Sequence, residues 1–182
     1  MALMDTYRPW RNYPSSAAYV AWHIRTSEGE NARSFDPMIH RYVFRQASSD
    51  VVCRAFLAAL AEAKEACPSL IDGDVRVYIS SNSKGMAHNC TIAAAASGVV
   101  AGYVNMGMHE GDGHTQFSHN PNTSANAFVD FLYLMDASSV IRPQSSFSGT
   151  AVNMKGAACK ESEGPASQLV AQTLIFCQPR TC

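Results

Sequence analysis

Ala17-Ala18-Tyr19-Val20-Ala21-Trp22-His23-Ile24 is an apolar run that follows the turn-forming Pro14-Ser15-Ser16 and passes directly into Arg25. A short run of this composition, bounded by turn residues, reads as a buried β-strand. The polar stretch 25–33 then forms the loop at its carboxyl end. In open α/β sheets that end is where ligands bind.

Working outward from this strand, strand and helix patterns alternate along the chain. Asp50 reads as an N-cap, and Val51, Val52, Ala55, Phe56, Ala59, Leu60 and Ala63 recur at helical spacing until Cys67-Pro68 ends the run. Asp72-Gly73 turns into Val75-Arg76-Val77-Tyr78-Ile79, a strand by its β-branched and aromatic residues, with Ser80-Ser81-Asn82-Ser83 at its tip. The alanine-rich stretch 87–96 predicts a helix and 99–104 a further strand. Residues 107–124 carry Gly, His, Asn, Asp and Pro without a period and read as a long loop. Helix returns over 125–137, where Phe128, Phe131, Leu132 and Met135 form one stripe. Ser139-Val140-Ile141 predicts a short strand before Pro143, 148–158 another helix and 173–176 a last strand. The alternation specifies an α/β fold, a Rossmann-like three-layer domain with a mostly parallel sheet. Residues 1–16 read as an N-terminal extension and 17–182 as the domain.

The bulk numbers agree with one globular unit. The chain has 182 residues, 47% hydrophobic and 16% charged, a balance that excludes disorder and permits a sizeable core. Fourteen Lys and Arg against fifteen Asp and Glu leave a net charge of −1, so no basic field marks a nucleic-acid partner. No apolar run reaches signal-peptide or membrane-span length, which makes the chain soluble in the cytosol or an organelle, or the downstream part of a secretory-pathway (Golgi or ER) protein. Six cysteines, at 53, 67, 90, 159, 177 and 182, form no CxxC pair, so neither a zinc ribbon nor a redox motif is written here. Their even number is only a weak argument for disulfides. Asn89-Cys90-Thr91 and Asn122-Thr123-Ser124 match the glycosylation acceptor pattern, which matters only in a secreted context.

Two distant segments carry the chemistry. His23-Ile24-Arg25 puts a cation at a strand end, and Ser145-Ser146-Phe147-Ser148-Gly149-Thr150-Ala151 puts hydroxyls and backbone N–H groups at a helix start. A pyrophosphate requires both. With the acidic helix Val129-Asp130-Phe131-Leu132-Tyr133-Leu134-Met135-Asp136 between them, the order resembles the donor-binding half of the fucosyltransferases, nearest the α1,6-fucosyltransferase and protein O-fucosyltransferase group. The resemblance spans residues 19–178 and implies one half of a GT-B glycosyltransferase that binds GDP-fucose and requires no cofactor or metal. It implies that Arg25 is the catalytic cation, on the β-phosphate, where it offsets charge as the sugar–phosphate bond breaks. By the same resemblance His23 orients the loop or contacts the diphosphate, Asp130 helps recognise the guanine or supports the site, and Ser145, Ser146 and Ser148 cradle the diphosphate. Asn82 falls where the family carries a nucleoside-reading Asp, and an amide cannot supply that charge.

The departures from the family pattern are specific. A second basic residue directly after Arg25 is replaced by Thr26, followed by Ser27, Glu28 and Gly29, which leaves the phosphate one cation short. A chain of this length holds one of the two Rossmann-like domains, so the acceptor-binding half, the acceptor and its base lie elsewhere, on a protein partner or in further sequence. A second function class follows from the same facts: a catalytically degenerate fucosyltransferase-like fold serving as a structural or binding subunit of a larger assembly.

Each residue also has an ordinary role to set beside the functional one. Arg25 alone reads as a solvated strand-end cation, His23 as a satisfied half-buried histidine, Asp130 as a first-turn acid favoured by the helix dipole, and Ser145 to Ser148 as capping residues. His109, Glu110, Asp112, His114 and His119 are metal-ligand types, but their spacing does not match a helical His-Glu-x-x-His site and reads as a polar loop. Ser146-Phe147-Ser148-Gly149 lacks the leading glycine of a nucleophile elbow.

Overall fold

The computed structural model describes residue 9 and residues 18–25, 48–66, 76–104, 121–162, 164–170 and 174–178. Apart from residue 9, the predicted N-terminal extension lies outside them, as do the loop beyond Arg25 and residues 107–120 of the predicted loop 107–124; the last four residues of that loop, 121–124, instead open the helix expected from 125. The described residues form a mixed α/β fold of six strands and five helices: β1 (Val20–Ile24), α1 (Ser49–Ala66), β2 (Arg76–Ser81), α2 (Lys84–Ala96), β3 (Val100–Gly102), α3 (Pro121–Asp136), β4 (Ser139–Arg142), α4 (Ser146–Lys155), β5 (Ala158–Glu161), α5 (Pro165–Leu169) and β6 (Ile175–Gln178).

One sheet joins the strands in the order β3-β2-β1-β4-β6-β5. β3, β2, β1 and β4 run parallel, while β6 pairs antiparallel with both β4 and β5. Every residue of β1 and β2 is buried, as expected of central parallel strands covered on both faces. Alternate residues of β1 divide the core. Val20, Trp22 and Ile24 pack with α1, α2 and α5, whereas Tyr19 and Ala21 pack with α3 and α4. Helices therefore cover both faces, in the three-layer arrangement of a Rossmann-like fold.

The helices form for local reasons that the packing completes. In α1 the buried Cys53, Phe56, Ala59, Leu60 and Ala63 recur every three or four residues, and Arg54, Lys64 and Glu65 face solvent. The helix begins at Ser49, so Asp50 sits in its first turn, where it pairs with Arg54 at 2.8 Å. Ser83 caps α2, its hydroxyl accepting from the Met86 N–H at 3.2 Å. Small residues on α2 let it lie close to α1, and the disulfide Cys53–Cys90 joins the two.

The carboxyl-terminal part departs from the sequence expectation. α4 ends at Lys155, with Gly156 at φ 69° terminating it, and the stretch expected to complete that helix instead opens β5. All four residues of β5 are exposed, so no burial pattern announces the strand; its backbone pairing with β6 and the disulfide Cys159–Cys177 hold it. α5 follows a turn in which the Glu62 carboxylate accepts from the Ser162 hydroxyl at 2.7 Å and, at 3.5 Å, from the Ala166 N–H. A Cβ on Gly164 would run into that carboxylate. Gly164→Ala is expected to cost about 1 kcal/mol by displacing these bonds, and in a Glu62→Ala background nearly nothing. A double-mutant cycle by urea unfolding checks this, and equal costs in both backgrounds would refute it.

No described helix is long and apolar enough to cross a membrane.

Candidate functional site

The sheet order places a topological switch point between β1 and β4. From β1 the chain moves through β2 to β3 on one side, then returns to β4 on the other. The helix after β1 covers one face of the sheet and the helix after β4 the opposite face. In open α/β sheets ligands bind at the carboxyl ends of the strands that flank such a point. His23 and Arg25 stand at the end of β1; Arg142, Ser145, Ser146 and Ser148 stand at the end of β4 and the start of α4.

The two distant segments meet at His23 and Ser148. His23 Nδ1 lies 2.8 Å from Ser148 Oγ, both side chains are buried, and the His23 ring leans on Phe147 with centroids 5.6 Å apart. Phe147 in turn meets Phe131 of α3 edge-on, at 5.6 Å. Burial pushes the His23 imidazole down to about 3, and the positive charges of Arg25 and Arg142 add to the shift. It is neutral at physiological pH. Arg25 is half-buried just beyond the strand.

Arg142 is not a residue that the sequence singles out. It is the residue after the last rung of the β1–β4 ladder, Trp22 opposite Ile141, which sets it beside His23. Its Nη1 donates to the Pro143 carbonyl at 3.2 Å and reaches that of Ser145 at 3.5 Å. The signal is an arginine closing a strand just before Pro143, informative only once β4 is known to neighbour β1. Ser145 occupies the N-cap position of α4, yet its side chain makes no capping bond and its Oγ is buried without a partner among the described residues. Ser146 is the exposed first residue of the helix.

A second polar cluster lies next to the first on the same face. Ser80 is the register partner of His23 across β1 and β2, and its hydroxyl donates to Asp130 Oδ2 at 2.9 Å. The Tyr78 hydroxyl donates to Asp130 Oδ1, and the Tyr78 ring stacks on Tyr133 with centroids 4.0 Å apart. Asp130 is in the interior of α3 rather than in a first turn, because the helix begins at Pro121. Burial raises its carboxyl to about 7, against the opposing effect of the bonds from Tyr78 and Ser80.

Beyond Asp130 a small hollow opens at the ends of β2 and β3, lined in part by Ser81, Lys84, Tyr103, Asn126 and Asp130. Asn126, buried one turn before Asp130, and Lys84, the first residue of α2, are both missed by sequence reasoning. Their spacing from Asp130 and the Ser83 cap is legible, but their direction is not. Asn82 is half-buried between the end of β2 and that cap. The sequence-predicted residues thus fall into two adjoining groups, His23, Arg25, Ser145, Ser146 and Ser148 around the switch point and Asn82 and Asp130 at the end of β2.

No protein-family model and no curated protein matches this sequence.

Proposed function

We propose that this chain is a fucosyltransferase-like glycosyltransferase domain, one half of a GT-B arrangement, that binds GDP-fucose or a related nucleotide sugar. The observation that carries the reading is the joining of His23 to Ser148 at the sheet's switch point, with Arg25 and Arg142 both close enough to bear on the histidine. Two guanidiniums beside a hydroxyl-bearing helix start form an environment for a diphosphate. Asn82 and Asp130, at the end of β2, adjoin it as the nucleoside contacts of this reading. Arg25 stabilises the departing GDP, and the acceptor hydroxyl and its base come from a protein partner or further sequence. The disulfides Cys53–Cys90 and Cys159–Cys177 suit an oxidising compartment such as the secretory pathway.

Thermal melting with GDP or GDP-fucose tests this. Ligand at about a hundred times its dissociation constant adds roughly 2.7 kcal/mol of stability, and Arg25→Ala removes most of that gain. An unchanged melting temperature at millimolar GDP would reject the reading.

One observation favours the second reading, a degenerate fold kept as a structural subunit. His23, Ser148 and Asp130 are buried and bonded to one another or to strand residues, as structural groups are. Under that reading GDP has no effect and Arg25 is covered by another chain.

A further inference from the structure

α3 has two apolar faces, and the sheet covers only one. The residues it buries are Asn126, Val129, Asp130, Tyr133, Leu134 and Ala137, recurring every three or four positions. The stripe that the sequence suggests as its core face, Phe128, Phe131, Leu132 and Met135, lies on the outer side instead. Phe128 is 57% exposed, and the other three are half-buried, with Phe131 and Met135 touching the core along one flank. Phe147, at the start of α4, meets Phe131 edge-on and extends the apolar surface across both helices. From 121 to 136 the only charged side chains are the buried Asp130 and the exposed Asp136 at the last position. A surface helix ordinarily places charge on its outer face; an outer face of Phe, Leu and Met has the composition of an interface core.

We propose that this face is covered by the same face of a second copy of the chain, in a two-fold antiparallel pairing of α3 with α3 centred on Phe128. Phe128 stands at the middle of the helix Pro121–Asp136, so an antiparallel pair about a two-fold axis sets Phe128 against Phe128, as a self-complementary contact requires of the residue on its axis. Around that centre the helix is unequal: Ser124 and Ala125 lie one turn before it, Phe131 and Leu132 one turn after. Antiparallel packing puts the large side chains of each copy over the small ones of the other, which close packing favours. The charges agree. Asp136 meets the Tyr19 hydroxyl at 3.3 Å and the charge of Lys155, yet it is exposed at the carboxyl end of its own helix, where the macrodipole disfavours an acid, and the first turn of that helix contains no acid. In the antiparallel pair each Asp136 comes to the amino end of the opposite helix, where the dipole favours it; a parallel pair would bring the two carboxylates together. α3 is about 24 Å long and about 10 Å wide, less than the roughly 800 Å² that each partner gives to a stable interface, so the pair is reversible and dissociates on dilution. It needs no ligand and stands apart from the nucleotide reading.

Sedimentation velocity of the full chain over a dilution series from millimolar to micromolar tests the proposal. The wild type should pass from twice the monomer mass to the monomer mass. Phe128→Glu places two carboxylates on the axis and should weaken the pair by about thirtyfold or more; because the side chain is exposed, its urea unfolding curve should match that of the wild type. Phe128→Lys should weaken the pair in the same way, and an equimolar mixture of the two variants should restore the dimer, since opposite charges then meet across the axis. A wild type that is monomeric at every concentration overturns the proposal, as does a dimer that Phe128→Glu leaves intact. A mixture of the two charged variants that stays monomeric overturns the placing of Phe128 on the axis, and the antiparallel pair with it. If Phe128→Glu fails to fold, Phe128→Ser takes its place, with loss of the dimer expected and retention of it overturning the proposal.

Discussion

Replacing Asp130 by Asn is expected to change the shape of the pH–stability curve and to raise stability at pH 8 by an amount on the order of 4 kcal/mol. The carboxyl titrates near 7 in the fold against an ordinary 3.8, because burial outweighs the bonds from Tyr78 and Ser80. Between those values the native state holds a proton that the unfolded chain has released, so the contribution of Asp130 is present below pH 4 and is lost as pH rises to 7. His23 has the opposite sign. Its imidazole titrates near 3 in the fold against an ordinary 6.5; the unfolded chain therefore binds the extra proton, and stability is lost as pH falls from 6.5 towards 3. From about pH 4 to 6.5 the two slopes cancel, and these groups leave the wild type nearly flat there. Asp130→Asn keeps an acceptor for Tyr78 or Ser80 and removes the charge. Its curve should climb from pH 4 to 6.5 on His23 alone and end above the wild type. Denaturant midpoints across pH 3–9 measure this, and a variant that retains the flat wild-type profile refutes the buried-carboxylate account.

The second large effect concerns the tie between α1 and α2. Cys53 and Cys90 are 37 residues apart, and closing a loop of that length removes about 4 kcal/mol of unfolded-state entropy in the chain model. Cys53→Ala with Cys90→Ala should lower stability by about that much, and somewhat more than Cys159→Ala with Cys177→Ala, whose 18-residue separation corresponds to about 3 kcal/mol. Both sulfurs of the first pair lie in the core, at 1% and 0% exposure, so lost packing adds to the difference. Comparison of the two double variants by urea unfolding decides the order, and a smaller loss for the α1–α2 pair would contradict it.

The elements that sequence made legible are those with strong local patterns. β1, α1 and β2 have apolar runs or helical spacing backed by caps and turns, and each lies within a few residues of its expected place. β5 and α5 were not legible. The former is Ala-Cys-Lys-Glu, exposed at every position, and is a strand only because β6 and a cystine lie alongside; the latter is too short to show a period. The reversed direction of β6 is a matter of long-range pairing, about which local propensity is silent.

The candidate site divides in the same way. That His23 and the serine-rich turn come together was expected, though the contact runs through Ser148 rather than through the exposed Ser146. Arg142 was not legible, since an arginine at a strand end is ordinary until its neighbouring strand is known. The partners of Asp130 are equally non-local. Tyr78 and Ser80 are 52 and 50 residues away from it, a distance at which helix or strand periodicity carries no information.

The outermost ribbon of the sheet has a consequence of its own. β5 is four residues long and solvent-facing throughout, with Lys160 and Glu161 in it and its neighbour β6 cross-linked to it in register at Cys159 and Cys177. Short, charged borders of this kind resist docking of a second molecule's backbone. The cystine thus acts as a selvedge: it fastens the short, charged border strand to its neighbour, so that the fabric ends on that strand and not on β6.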